Sequence, residues 1–237
     1  MFLTIETLSL GWYHVRTPIK QAWNLRYRPG SLTLFGNPYT IDQQECPAAL
    51  FRKQTEFSGT WSTEIDFAPT YPGEEAGTTV YWSRFAFMAA GIRRSDTGDG
   101  RYTFLRWYDP DTGKHRVRLQ DYTKLVLRVA KQPVPCLQES RQDLGASGPV
   151  QFKIEARPQT YTFFYRCATK DAKWIELGQL STRILVDQKS RESVYAGTHF
   201  GLYAQGHEDT SCSRPASFRF ACFNPNGPGE YPSAIDM

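Results

Sequence analysis

His199, Tyr203 and Gln205 fall at every second position of a strand-like run, with Gly201 between them. Side chains two apart share one face of a strand, so these groups would line one surface while Phe200, Leu202 and Ala204 take the other. A histidine and a tyrosine side by side can hand protons in either direction. A glycine in mid-strand leaves room for a ligand or for another backbone. The same pattern also fits a polar sheet face with a satisfied histidine, and both readings stay open. Arg52 and Gln54 alternate with Ala49, Phe51 and Lys53 in Ala48 to Gln54. Ser62, Glu64 and Asp66 alternate with Trp61, Ile65 and Phe67 in the next run. A shared polar face of Arg52, Gln54, Ser62, Glu64 and Asp66 is expected from these two runs.

Glu64 and Asp66 would be neighbours at about 7 Å along one strand. Two carboxylates flanking one bond are what glycoside hydrolysis requires, but this spacing is common on any polar strand face. Glu74 and Glu75 read as a solvated turn before a strand. No serine lies in a nucleophile-elbow context. His207-Glu208-Asp209 reads as a solvated loop, and Ser95 to Arg101 as a hairpin turn short of the oxygen spacing of a calcium loop. No metal and no cofactor is expected. Tyr81, Arg106 and Trp107 complete the candidate ligand-binding set, with Tyr81 and Trp107 as walls. The run Tyr102 to Tyr108 carries large side chains on both faces, so its second face needs a cover. The segment Lys131 to Gly148, polar and punctuated by Pro133, Pro135, Gly145 and Gly148, reads as a long loop that could roof an aromatic cleft.

The elements that must position these groups are short strands. Runs at 8–16, 31–35, 48–54, 60–67, 77–82, 85–93, 102–108, 115–120, 150–155, 161–166, 200–205 and 216–223 are separated by turn signals such as Arg28-Pro29-Gly30 and Asp111-Thr112-Gly113. One short helical turn is expected within Gln179 to Val186. The pattern predicts an all-β sandwich or jelly roll over 1–223 and an irregular tail over 224–237. With 40% hydrophobic and 14% aromatic residues in 237, the chain can fill one sizeable core.

The net charge is +4, from 28 basic and 24 acidic residues spread along the chain. That excludes the clustered basic stripe of a nucleic-acid footprint; Arg93-Arg94 and His115 to Arg118 read as solvated strand edges. No apolar run reaches the length of a membrane span. The start, MFLTIETLSLGWYHVR, shows no basic region and no cleavage site of a leader. Five cysteines, an odd number with no close pair, suit a reduced, cytoplasmic protein with mostly free thiols.

Six segments in series resemble the C-terminal concanavalin-A-like module of glycoside hydrolase family 43 β-xylosidases. They are LGWYHVRTP (10–18), RPGSLTLFG (28–36), FRKQTEF (51–57), EEAGTTVYW (74–82), FGLYAQG (200–206) and RPASFRFACF (214–223). The resemblance covers nearly the whole chain and implies a two-sheet jelly roll with a concave face. It also implies that the family's catalytic carboxylates belong to a five-bladed propeller with no counterpart in this sequence. Two functions follow as expectations. In one, the module binds a small organic molecule as a cofactor-free cyclase or isomerase of biosynthesis. There Arg52 and Gln54 grip the substrate, and His199, Tyr203 and Glu64 serve as acid or base groups. The absent propeller and leader favour this reading. In the other, it is a carbohydrate-binding or accessory module of a β-xylosidase-type system.

Overall fold

Alternating apolar and polar residues, bounded by Gly, Pro and Asn, form strands here wherever a neighbour can accept their backbone groups. The computed structural model describes residues 8–18, 20–95, 100–109, 136–144, 147–185, 197–207 and 209–225. Its strands are β1 (Trp12–Tyr13), β2 (Trp23–Asn24), β3 (Leu32–Leu34), β4 (Ala48–Lys53), β5 (Gly59–Asp66), β6 (Glu75–Ser83) and β7 (Ala86–Arg94). They continue with β8 (Arg101–Asp109), β9 (Cys136–Leu144), β10 (Val150–Ala156), β11 (Thr160–Cys167), β12 (Ile175–Ser181), β13 (His199–Gln205) and β14 (Ala216–Asn224). A 3-10 turn spans Thr182–Leu185, inside the stretch where the sequence predicts one. The expected strand over 115–120 lies outside the described residues, as do most of the tail, Glu208 and residues 96–99 of the Ser95 to Arg101 turn.

The strands make two antiparallel sheets of seven, as the alternation predicts. The first runs β1-β4-β13-β6-β7-β8-β9 and the second β12-β11-β10-β5-β14-β3-β2. Late strands β13 and β14 insert among early ones in both sheets, the long return connection of a jelly roll. Between the sheets lies the main core, with Leu50, Val80, Met88, Leu105, Phe200 and Leu202 from the first and Trp61, Ile65, Phe152, Phe163 and Phe218 from the second. Trp61 ties the layers together. Its ring stacks on Phe200 at 5.2 Å, and its Nε1 donates to Thr78 Oγ1 at 2.8 Å, which donates to the Gly201 carbonyl at 2.8 Å. A buried indole N–H left without an acceptor would cost about 1–3 kcal/mol, so this chain fixes the sheet separation as well as filling it.

Two expectations about elements change. Cys136–Leu144 is not loop but β9, the edge of the first sheet, paired with β8 along its whole length. Its polar sequence carries no apolar period because an edge strand is partly solvated, and charges there guard against further pairing. Residues 131–135 and 145–146 lie outside the described residues. Further, β4 and β5 are consecutive yet belong to different sheets, so the single polar face expected from Arg52 to Asp66 does not form.

Candidate functional site

The first sheet buries side chains on both faces. Its face toward the second sheet joins the main core, while its outer face carries a second cluster of Ala49, Phe51, Tyr81, Phe87, Tyr102, Phe104 and Tyr203, with Ile41 and Val15 packed against it. The two-sided aromatic pattern of β8 is thus explained: Leu105 faces the main core and Tyr102 and Phe104 the outer cluster.

Register sets which groups share the outer face, because directly paired residues point the same way. One row holds Lys53, His199, Tyr81 and Phe87. The next holds Tyr13, Phe51, Gly201, Thr79, Ala89, Arg106 and Glu139. A third holds Ala49, Tyr203, Gly77, Gly91, Phe104 and Arg141, and a fourth Gln205, Glu75, Arg93, Tyr102 and Asp143. His199, Tyr81, Tyr203, Gln205 and Arg106 therefore share one face, which the alternation predicts for His199, Tyr203 and Gln205.

The remaining candidates are elsewhere. Arg52 pairs with Phe200 and so belongs to the opposite face from His199 and Tyr203. Gln54 accepts from the Tyr161 hydroxyl of the second sheet at 2.7 Å. Trp107, paired with Met88, packs toward the main core and forms no wall with Tyr81. Glu64 lies in the second sheet, held by Gln151 Nε2 at 2.7 Å and by Arg219 at 3.5 Å. The grouping a cyclase would need, Arg52 and Gln54 beside His199 and Tyr203, is not formed. The space at Gly201 is also occupied. A Cβ there would lie 2.7 Å from the Phe51 ring and 2.8 Å from Thr79 Cγ2.

The middle of the outer face holds a buried ionic chain whose charged members, Arg106 apart, were missed as a group in the sequence. Arg106 donates through Nη2 to Glu75 Oε2 at 2.5 Å and through Nε to Glu139 Oε2 at 2.9 Å. Arg141 Nε donates to Glu139 Oε1 at 2.6 Å, and Arg93 approaches Glu75 Oε2 at 3.7 Å. Tyr203 donates its hydroxyl to Glu75 Oε1 at 2.6 Å. Burial pushes the Tyr203 hydroxyl well above its ordinary range, with the Glu75 charge adding to it. Burial alone would raise Glu139, but Arg106 first and then Arg141 outweigh it and hold the carboxyl low. Burial disfavours the Arg106 cation, yet Glu75 and Glu139 raise it well above its ordinary value. Both carboxylates are therefore taken up by Arg106, Glu139 also by Arg141 and Glu75 also by Tyr203. The signal that could have found them is opposite charge on neighbouring strands, Glu75 paired with Arg93 and Arg106 paired with Glu139.

Gln205 is structural: its Oε1 accepts from the Ile41 amide at 3.4 Å, and it bridges to Asn37. Glu74 is not a solvated turn residue. It is buried, and its carboxylate takes the amides of Thr70 and Tyr71 at 2.6 and 3.1 Å and of Ser213 at 2.5 Å. Burial opposes the charge, but those donors hold the carboxyl below its ordinary range.

Two ends of the outer face reach solvent. At the β1 side stand exposed Tyr13, exposed Lys53 and half-buried His199, with Tyr13 edge-on to His199 at 6.0 Å and Phe51 against Tyr81 at 4.8 Å. Desolvation lowers the His199 pKa, partly offset by its Nδ1 contact to the Gly197 carbonyl, with Lys53 lowering it further. At the β9 side stand exposed Arg141 and Asp143. Among the described residues no three His, Cys, Asp or Glu side chains gather as a metal site. His207 lies against Gly73, where a Cβ would meet its ring. No described helix is long and apolar enough to cross a membrane. Cys46, Cys167, Cys212 and Cys222 carry free thiols.

Comparison with known proteins agrees with this architecture. The non-reducing end α-L-arabinofuranosidase of Bacteroides ovatus is 30% identical over 215 residues, which is 90% of this chain and 34% of that protein. A xylan 1,3-β-xylosidase of Vibrio is 26% identical over 167 residues, 69% of this chain and 26% of that protein. The solved structure of the Bacteroides ovatus family 43 protein from a xyloglucan locus superposes with a TM-score of 0.74 at 25% identity, covering 93% of this chain and 38% of its own. The chain thus spans about a third or less of the length of the curated relatives it matches. Residues 2–224 match the family described as the β-xylosidase C-terminal concanavalin A-like domain, and the chain belongs to that family.

Proposed function

We propose that the chain is a saccharide-binding accessory module of the β-xylosidase type, with the solvent-reaching ends of its outer face as the binding surface. The observation that carries this reading is the state of the outer-face carboxylates. Glycoside hydrolysis needs one carboxyl group poised to give a proton and another facing it across the bond. Glu75 and Glu139 instead share Arg106 between them, and Glu139 is held low. Glu139, held low, does not protonate a leaving group near neutral pH, and Glu75 faces Arg106 and Tyr203 rather than a second carboxyl across an open gap. Sugar recognition asks for exposed aromatic rings beside fixed polar groups, and Tyr13 with His199 and Lys53 supplies that combination. Relatives named for arabinofuranoside and xylan substrates support a pentose-containing glycan. The alternative of a cofactor-free cyclase or isomerase loses its motive, since Arg52 lies on the other face of the sheet from His199 and Tyr203 and Gln54 is taken by the Tyr161 hydroxyl.

The test is calorimetry with xylo-oligosaccharides and arabinose-substituted xylo-oligosaccharides, beside assays for release of xylose or arabinose. Binding weakened by Tyr13→Ala, with no hydrolysis, is expected. Absence of binding to every oligosaccharide would overturn the reading.

A further inference from the structure

In β10, Phe152 and Ile154 go to the main core, and in β11 so do Phe163 and Tyr165. Gln151, Lys153, Phe164 and Arg166 therefore face outward from the second sheet. Register lines up Glu64, Gln151 and Arg166 across β5, β10 and β11, with Lys153 beside Phe164 in the next row. Gln151 ties its row together: its Oε1 accepts from Arg166 Nε at 2.7 Å, and its Nε2 donates to Glu64 Oε2 at 2.7 Å. The Arg166 guanidinium lies over the Trp174 ring at 4.5 Å. Gln151, Phe164, Arg166 and Trp174 are all partly exposed, so this strip is open to solvent. Arg166 differs from the other cations on it. Arg219 approaches Glu64 at 3.5 Å, and Lys153 donates to Glu155 at 2.6 Å. No carboxylate among the described residues pairs with Arg166, whose hydrogen bond goes from Nε to the neutral Gln151 amide. Its two terminal nitrogens are not sealed inside the fold, so they reach water.

We propose that Arg166 binds the carboxylate of a uronic acid residue in the glycan, with the Trp174 ring as apolar contact for the sugar that carries it. A guanidinium held at Nε and laid on an indole has little rotamer freedom left, so less is lost when a ligand is gripped. Its remaining pair of donors matches the two oxygens of a carboxylate. The C–H faces of a sugar ring suit the indole beside it. Exposed Glu176, opposite Phe164 across β12, works against an anion here, and exposed Lys170 and Lys173 on the turn before Trp174 offset it. The proposal rests on the saccharide-binding reading. It adds an acidic group to the ligand and a second contact surface, on the opposite sheet from Tyr13 and His199.

Calorimetry on the full chain compares xylotriose with xylotriose bearing one glucuronic acid substituent, with inorganic phosphate as a third titrant. The acidic oligosaccharide is expected to bind about tenfold more tightly, the worth of a charge-assisted contact at a partly exposed site. That difference is expected to shrink as salt is raised. Arg166→Gln is expected to abolish it, and Arg166→Lys, which keeps the charge without the fork, to recover only part. Tyr13→Ala should weaken both oligosaccharides alike and leave their ratio unchanged. Each variant is melted first; if Arg166→Gln does not fold, Arg166→Lys decides, and full preference with lysine overturns the fork. Equal binding of the two oligosaccharides by the parent overturns the proposal and leaves the saccharide reading standing. A preference that survives Arg166→Gln overturns it as well, because the carboxylate then sits elsewhere. Phosphate binding as tight as the acidic oligosaccharide overturns it by showing a bare anion site. If the parent binds neither oligosaccharide, the saccharide reading fails and this proposal with it.

Discussion

Tyr203 reaches across Gly77 to donate to Glu75 Oε1 at 2.6 Å, with both side chains fully buried. The oxygen it serves has no solvent to fall back on. Replacing the donor leaves a buried carboxylate oxygen short of one hydrogen bond, which costs about 1–3 kcal/mol. Tyr203→Phe is therefore expected to lower the Tm by roughly 2–12 °C for a chain of this size, measured by calorimetric melting. An unchanged Tm would mean that the phenol oxygen contributes nothing to the ionic chain.

Arg106 holds two buried carboxylates at once. Breaking a buried pair by removing one partner is strongly destabilising, about 3–5 kcal/mol, because a charge is left uncompensated. Arg106→Leu should show at least that loss in urea unfolding. Arg106→Lys should recover little of it, since one ammonium cannot present the fork that spans Glu75 and Glu139. Full recovery with lysine would show that charge alone matters at this position.

Much of the fold was legible in the residues, and the reasons differ by element. Trp61, Ile65 and Phe67 alternate cleanly with Ser62, Glu64 and Asp66, and β5 forms where that pattern lies. Alternation reports that a strand has two unlike faces; it does not report which sheet the strand joins. Residues 54–58 between β4 and β5 carry the chain from one sheet to the other, and nothing in their composition separates a hairpin from a crossing. That is why Arg52 and Glu64 were expected together and lie apart. Glu75 and Arg106 were harder for another reason. Charged residues are rarely fully buried unless paired, and the partner that makes burial possible sits two strands away. The edge strand β9 has neither apolar period nor turn-free boundaries, so only its partner β8 defines it.

Gly77 and Gly91 face each other across β6 and β7. A Cβ on Gly77 would lie 2.4 Å from the Ala90 carbonyl oxygen and 3.0 Å from the Tyr203 ring. The obstacle is backbone, which cannot swing aside as a long side chain can. Gly77→Ala is expected to destabilise by the ~1–3 kcal/mol of overpacking, read by urea unfolding. Gly100→Ala, with nothing within 4 Å of its Cβ, is the matched control and should change little. Equal effects at both sites would remove the packing argument.

The last prediction concerns pH, and the sign follows group by group. Glu74 and Glu139 have carboxyl groups held below their ordinary range in the fold. Each contributes stability that is complete above the unfolded pKa near 4.5 and is lost as pH falls through the lower folded value. His14 and His199 are lowered chiefly by burial, so the unfolded chain takes up their protons first and stability begins to fall below about pH 6.5. The alkaline side runs the other way. Burial pushes Cys212 to about 12, with Glu74 adding to it, and pushes Tyr102 and Tyr161 to about 12. The unfolded chain loses these protons from about pH 9 upward while the fold keeps them, and stability falls again. Melting temperature is therefore expected to form a plateau between about pH 7 and 9 with decline on both sides. Cys212→Ala should flatten the first part of the alkaline decline and leave the acid limb unchanged. A melting temperature that keeps rising below pH 5 would contradict the assigned states of Glu74 and Glu139.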